Sequence, residues 1–160
     1  MRTAFFFACL SFLACAGQFG ILLFLHCRRS GYSPIKHAVS DFGVGRAKHL
    51  FQIRIWMDSF GAAALAISFL LGFGPLSVLP SVIVLLLLLA AARIGAGIFP
   101  ADLEGQKFTG TGLLHYIFAI LSFGFAYTVI IKMTAFFPRG LTGIRFMAFY
   151  QSWQPLPHPL

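Results

Sequence analysis

Four long apolar runs dominate this chain, and they leave few folds open to it. The first extends from Ala4 to Leu25 and stops at His26-Cys27-Arg28-Arg29; the others cover 55–73, 79–99 and 113–131. Each is close to the roughly 20 residues that cross a hydrocarbon core as a helix. A spanning strand would show period-two alternation and need closure into a barrel, and none of these runs alternates. The expectation is therefore an all-α fold. It is a polytopic transmembrane bundle of four spanning helices over 1–133, followed by a short tail over 134–160. Composition argues the same way. Of 160 residues, 59% are hydrophobic and only 10% charged, against about a quarter charged in soluble domains. So apolar a chain cannot stay disordered in water.

The first run has a look-alike. Arg2 followed by Ala14-Cys15-Ala16 imitates a signal peptide with its cleavage site. The apolar stretch continues well past that point before the double arginine stops it, so it reads as a spanning helix. Cys9, Cys15 and Cys27 are an odd set without CxxC spacing and read as small hydrophobes.

Twelve Lys and Arg against four Asp and Glu give a net charge of +8. These cations flank the apolar runs, where they orient the chain and meet anionic headgroups. No basic patch interleaved with stacking aromatics is present, which excludes nucleic acid as a partner. The partner implied is the lipid bilayer, with a homo-oligomer or another membrane protein left open. Loop one carries Arg28, Arg29, Lys36, Arg46, Lys48 and Arg54, and loop three carries Arg93 and Lys107. The other face has Arg2, Lys132, Arg139 and Arg145, so eight stand against four. This bias places loops one and three in the cytoplasm, both termini outside, and the protein in the inner membrane. Whichever way the chain runs, four spans put loops one and three on one face.

Gly72 to Pro80 (GFGPLSVLP) is an uncharged turn that makes helices two and three an antiparallel hairpin. The segment GLTGIRFMAFYQSW is too short to span. It suits an interfacial helix with Phe146, Phe149, Tyr150 and Trp153 at headgroup level, ended by Pro155, Pro157 and Pro159.

Most polar residues with chemical potential fall on the shared face. His37 and Asp41 are four apart, as on one side of a helical turn. Asp102, with Glu104 beside it, lies in loop three, and His115 opens helix four. His37, Asp41, Asp102 and His115 are a reasonable ligand set for a divalent metal or an acid/base group. The competing reading makes Ser40 and Asp41 a helix cap, Asp102 a turn cap and the histidines interfacial. No HExxH, paired-cysteine or P-loop motif identifies a cofactor. His26 and His115 are candidate haem ligands, although both stand at helix ends and no CxxCH is present.

Asp58 and Arg93 lie at similar depth on antiparallel helices. An intramembrane charge is costly unless paired, so they are expected to form a structural ion pair. Gly61 and Ala62 to Ala64 in helix two, with Ala90 to Ala92, Gly95 and Gly97 in helix three, mark faces for close packing.

Several of these residues also carry a family pattern. Gly31-Tyr32-Ser33-Pro34, Ser40-Asp41-Phe42-Gly43, Phe99-Pro100-x-Asp102 and Gly112-x-x-His115 occur in that order around the helices. The combination resembles the bacterial and archaeal membrane family known as domain of unknown function 998, over residues 4–131. The resemblance implies a multi-pass membrane protein, usually with about six spans, and no established activity. It singles out Ser40, Asp41, Gly43, Pro100, Asp102 and His115. Phe42 stands where that pattern has leucine, and a Pro-rich tail stands where further helices are expected.

Three functions remain compatible with the residues. One is a membrane component of uncharacterised role whose polar motifs gather on one face. The second is a metal-dependent enzyme acting on a lipid or headgroup. The third is a small transporter or proton-conducting bundle using Asp58 and Arg93.

Overall fold

The computed structural model describes residues 2–27, 39–73, 79–103 and 105–136. The described residues form four α-helices: α1 (Arg2–Cys27), α2 (Lys48–Phe73), α3 (Leu79–Ile98) and α4 (Gly110–Phe136). A 3-10 turn, Val39–Gly43, precedes α2. No strand occurs among the described residues. All four helices are long and apolar enough to cross a membrane, and the chain is a multi-pass membrane protein.

The helices pack in chain order. α1 rests on α2, α2 on α3, and α3 on α4. Because α1 and α4 do not pack against each other to any comparable extent, the arrangement is an open row rather than a closed bundle. Lipid offers no hydrophobic drive for helix association, so close backbone approach and interhelical hydrogen bonds must hold the row together. Both are visible. A Cβ on Gly61 would lie 3.3 Å from that of Ala14, and one on Gly72 would lie 3.4 Å from that of Ala4. Between these contacts, the buried Ser68 hydroxyl donates to the Ala4 carbonyl at 2.9 Å. In the α2–α3 interface, the Ile55 side chain fills the space a Cβ on Gly97 would need, 2.8 Å away. Gln52 Nε2 donates to the Gly97 carbonyl at 2.5 Å. Gly95 does the same for α4, since the ring of Phe118 lies 2.5 Å from where its Cβ would stand. That ring stacks on Phe99 with centroids 5.7 Å apart.

Two apolar clusters lie at opposite ends of the row. Ala66, Val82 and Leu86, with Val129 and Met133 against them, join α2, α3 and α4 at the end remote from loop three. Leu25, Phe42, Ala47, Phe51 and Ile55 seat the 3-10 turn between the end of α1 and the start of α2. Outward, Phe12, Phe19, Leu23, Ile120 and Phe123 are each more than half exposed, as lipid-facing side chains are.

The helix limits differ from the apolar runs. α2 starts at Lys48 rather than 55, so Lys48 and Arg54 belong to a helix and not to loop one. Polar residues dilute the hydropathy of its first two turns, yet Ala47, Phe51 and Ile55 recur every four residues and are all buried. α4 continues to Phe136, taking Thr134 to Phe136 out of the expected tail. Its 27 residues reach roughly 40 Å, enough for both ends to enter the headgroup layers. The interfacial segment read over 140–153 lies outside the described residues.

Candidate functional site

Loop three is tied to α4 through Asp102. Thr109 stands immediately before α4, and its hydroxyl accepts the Gly112 N–H at 3.0 Å, the bond of a helix N-cap. The same hydroxyl donates to Asp102 Oδ1 at 2.7 Å, while the Thr109 N–H donates to Oδ2 at 2.8 Å. Asp102 thus holds the cap by both oxygens. These two bonds, hydroxyl first, set its carboxyl below the usual carboxylate range, with His115 adding to the effect and burial opposing it. The chain reaches this geometry by turning at Gly105, whose φ of 82° is in the left-handed region.

One turn into α4, His115 is buried and faces the end of α3. Its Nδ1 lies 2.9 Å from both the Ala96 and Phe99 carbonyl oxygens. Carbonyls only accept, so Nδ1 carries the proton and Nε2 is the nitrogen left for an acceptor or ligand role. The Ala96 carbonyl belongs to the last turn of α3 and the Phe99 carbonyl to the residue just after it, where intrahelical donors run out. His115 therefore fastens α4 to the α3 terminus.

Asp41 is buried in the 3-10 turn, where its carbonyl accepts the Val44 N–H at 3.1 Å. Its neighbour Phe42 is 2% exposed and meets the His26 ring edge-on, with centroids 5.3 Å apart. His26 Nδ1 donates to the Leu22 carbonyl of its own helix at 2.8 Å. His26 accordingly belongs to the contact of α1 with the 3-10 turn, and His115 to the α3–α4 contact. The structure does not join them as a ligand pair.

Of the four residues read from loops one and three, the three that are described, Asp41, Asp102 and His115, do not gather into one cluster. His37 lies outside the described residues. Among the described residues, no three His, Cys, Asp or Glu side chains come together as a metal-binding group. Hydrogen bonding explains the dispersal: Asp102 is committed to Thr109, and the Nδ1 of His115 to α3.

The charged residues of the spans do converge. Arg93 Nη1 lies 2.7 Å from Asp58 Oδ2, both side chains about one quarter exposed. Arg54, one turn before Asp58 on α2, is in electrostatic reach of both. Its Nη1 donates to Gln18 Oε1 of α1 at 3.2 Å. Each guanidinium lies over an aromatic ring, Arg54 over Phe51 at 5.0 Å and Arg93 over Phe123 at 5.7 Å. Arg54 escapes a reading that assigns it to loop one. Its spacing from Asp58, four residues on the same helix face, is the signal that reveals it.

Arg54, Arg93 and His115 all line one cleft of about 420 Å³ between α2, α3 and α4, beneath Ser40 of the 3-10 turn. Its wall is mostly apolar, formed by residues such as Ile55, Ile120 and Phe123. The cleft exists because the row is open: α2 and α4 diverge on either side of α3, and the 3-10 turn roofs the gap.

No curated protein and no solved structure matches this chain. The family model described as "Protein of unknown function (DUF998)" matches residues 11–152, and with nearly the whole chain inside that match, the protein belongs to the DUF998 family.

Proposed function

We propose that the protein is a membrane-embedded binding protein for a lipid-like amphiphile, held in the cleft between α2, α3 and α4. The observation that carries this reading is the form of the cleft. Its volume of about 420 Å³ suits a small-molecule site, which is mostly apolar with a few convergent polar groups. Polar groups collect at the end near loops one and three, where Ser40, Arg54, Arg93 and His115 stand. Ile120 and Phe123 on its α4 wall are 70% and 68% exposed, so the bilayer reaches it from the side.

In this reading the loop motifs support the rim. Asp102 sets the N-cap of α4, His115 locks α4 to α3 and offers Nε2 to the cleft, and Asp41 belongs to the roofing turn. His37 is assigned to the same polar face. That face is placed in the cytoplasm of a cell whose inner membrane holds the protein. With Arg54 and Arg93 counted inside the row, the basic residues favour this orientation by six to four.

The test is retention of bound lipid by the full chain purified in mild detergent, read by native mass spectrometry. Ala119 lines the cleft, and Ala119→Trp fills part of it. A lipid adduct is expected on the parent chain and reduced on this variant. Equal adducts on both, with the variant folded, would place the lipid on the outer surface and sink the reading.

A further inference from the structure

The geometry points to an acidic head group, a phosphate or a carboxylate, as the ligand chemistry of the cleft, clamped between Arg54 of α2 and Arg93 of α3. This inference rests on the amphiphile reading and specifies what the amphiphile must carry.

Charge is the first argument. The chain has four acidic residues, Asp41, Asp58, Asp102 and Glu104. Of these, Asp58 reaches Arg54 electrostatically and contacts Arg93 directly. Asp102 is occupied by Thr109. Arg54 and Arg93, both on the wall of the cleft, thus share the Asp58 carboxylate inside a membrane row, where unbalanced charge is expensive. An anion entering the cleft restores neutrality, and a neutral or zwitterionic head does not.

Donor supply is the second. Each guanidinium presents five N–H groups. Among the described residues, Arg93 finds Asp58 Oδ2 and Arg54 finds Gln18 Oε1. Among the described residues the Nε–H of both arginines is buried with no acceptor, a state that costs free energy until one arrives. Phosphate and carboxylate oxygens match the planar guanidinium fork. The rings of Phe51 and Phe123 support the two guanidiniums, which limits the reorganisation needed to receive an anion. The apolar wall beyond them selects an acyl or isoprenoid chain over a free ion.

The test compares three probes on the full chain by native mass spectrometry: phosphatidic acid, palmitate and monopalmitoylglycerol, the last being neutral. At least one acidic probe is expected to bind about tenfold more tightly than the neutral one, a difference readily resolved. Preference for phosphatidic acid alone assigns a phosphate, for palmitate alone a carboxylate. Arg54→Gln is expected to abolish the preference while neutral binding persists. Arg93→Gln, which leaves Asp58 balanced by Arg54, serves as the second probe and is expected to behave likewise. Equal binding of acidic and neutral probes overturns the clamp and leaves the amphiphile reading standing. A preference that survives both variants also overturns it, assigning the selectivity to the basic loops. Binding of none of the three overturns the clamp and the amphiphile reading together.

Discussion

Gly112 lies directly beneath the Asp102 carboxylate, and a Cβ on Gly112 would collide with both of its oxygens. This contact makes glycine necessary at the third position of α4, where helix propensity would favour almost any other residue. The carboxylate cannot retreat without releasing Thr109, which it binds by both oxygens.

Gly112→Ala is therefore expected to destabilise the protein by about 1–3 kcal/mol, the usual range for forcing volume into a packed site. Gly124 is the matched control, because its Cβ position meets nothing within 4 Å. Gly124→Ala is expected to be neutral or to stabilise by up to about 1 kcal/mol. Thermal unfolding of both variants in the same detergent, followed by helical circular dichroism, checks the difference. Equal transitions would deny the Asp102–Gly112 contact.

Asp102 also makes loop three sensitive to acid. Thr109 holds its folded carboxyl below the ordinary value of 3.8. A group with a depressed folded pKa contributes its full stabilisation above the unfolded value and loses it as pH falls through the folded one. The cap is thus intact at neutral pH and is released only below about 3.8. Hydrogen exchange at the Thr109 and Gly112 amides, corrected for intrinsic rates, is expected to lose protection in that acid window. Asp102→Asn should remove the acid step and weaken protection at every pH. An acid step that persists in Asp102→Asn would assign it to another carboxylate.

Much of the fold is legible because twenty apolar residues in water-free surroundings have one backbone solution, and each of the four runs contains the centre of a helix. The start of α2 is less legible. Lys48, His49, Gln52 and Arg54 mask a buried face that only the recurrence of Ala47, Phe51 and Ile55 discloses. The pairing of Asp102 with Thr109 is harder still, since it depends on a loop that turns back at Gly105. Thr109 preceding Gly-Thr-Gly is itself a readable N-cap. Residue spacing could not show that the carboxylate in loop three would serve that cap rather than a metal. His115 illustrates the same limit: its place at a helix start is plain, whereas its bond to the α3 carbonyls depends on the tertiary packing of α4.

Arg54, Arg93 and Asp58 predict an asymmetry between charge deletions. Removing Arg93 leaves Asp58 facing Arg54, a balanced pair. Removing Asp58 leaves two cations facing each other. Asp58→Asn is therefore expected to cost more than Arg93→Gln, with about 1–3 kcal/mol for the former, between exposed and fully buried pairs. The Asp58→Asn/Arg93→Gln double variant is expected to be more stable than Asp58→Asn alone, because it also removes one stranded cation. Unfolding in a graded denaturing detergent measures all three. A double variant no better than Asp58→Asn would mean that Arg93 does not sense the charge of Asp58.

Cys27 tests the proposed orientation. It is exposed at the end of α1 that leads into loop one, whereas Cys9 and Cys15 lie within the apolar span. A membrane-impermeant maleimide can reach a thiol at the interface but not one facing acyl chains. With loops one and three in the cytoplasm, Cys27 in intact cells is expected to resist the reagent and to react once the membrane is opened, with Cys27→Ser abolishing the signal. The polar end of the cleft lies on that same side, since Ser40 roofs it and His115 lines it. The orientation consequently decides which leaflet presents its headgroups to Arg54 and Arg93. Labelling of Cys27 in intact cells would invert the row and assign the cleft to lipids of the outer leaflet.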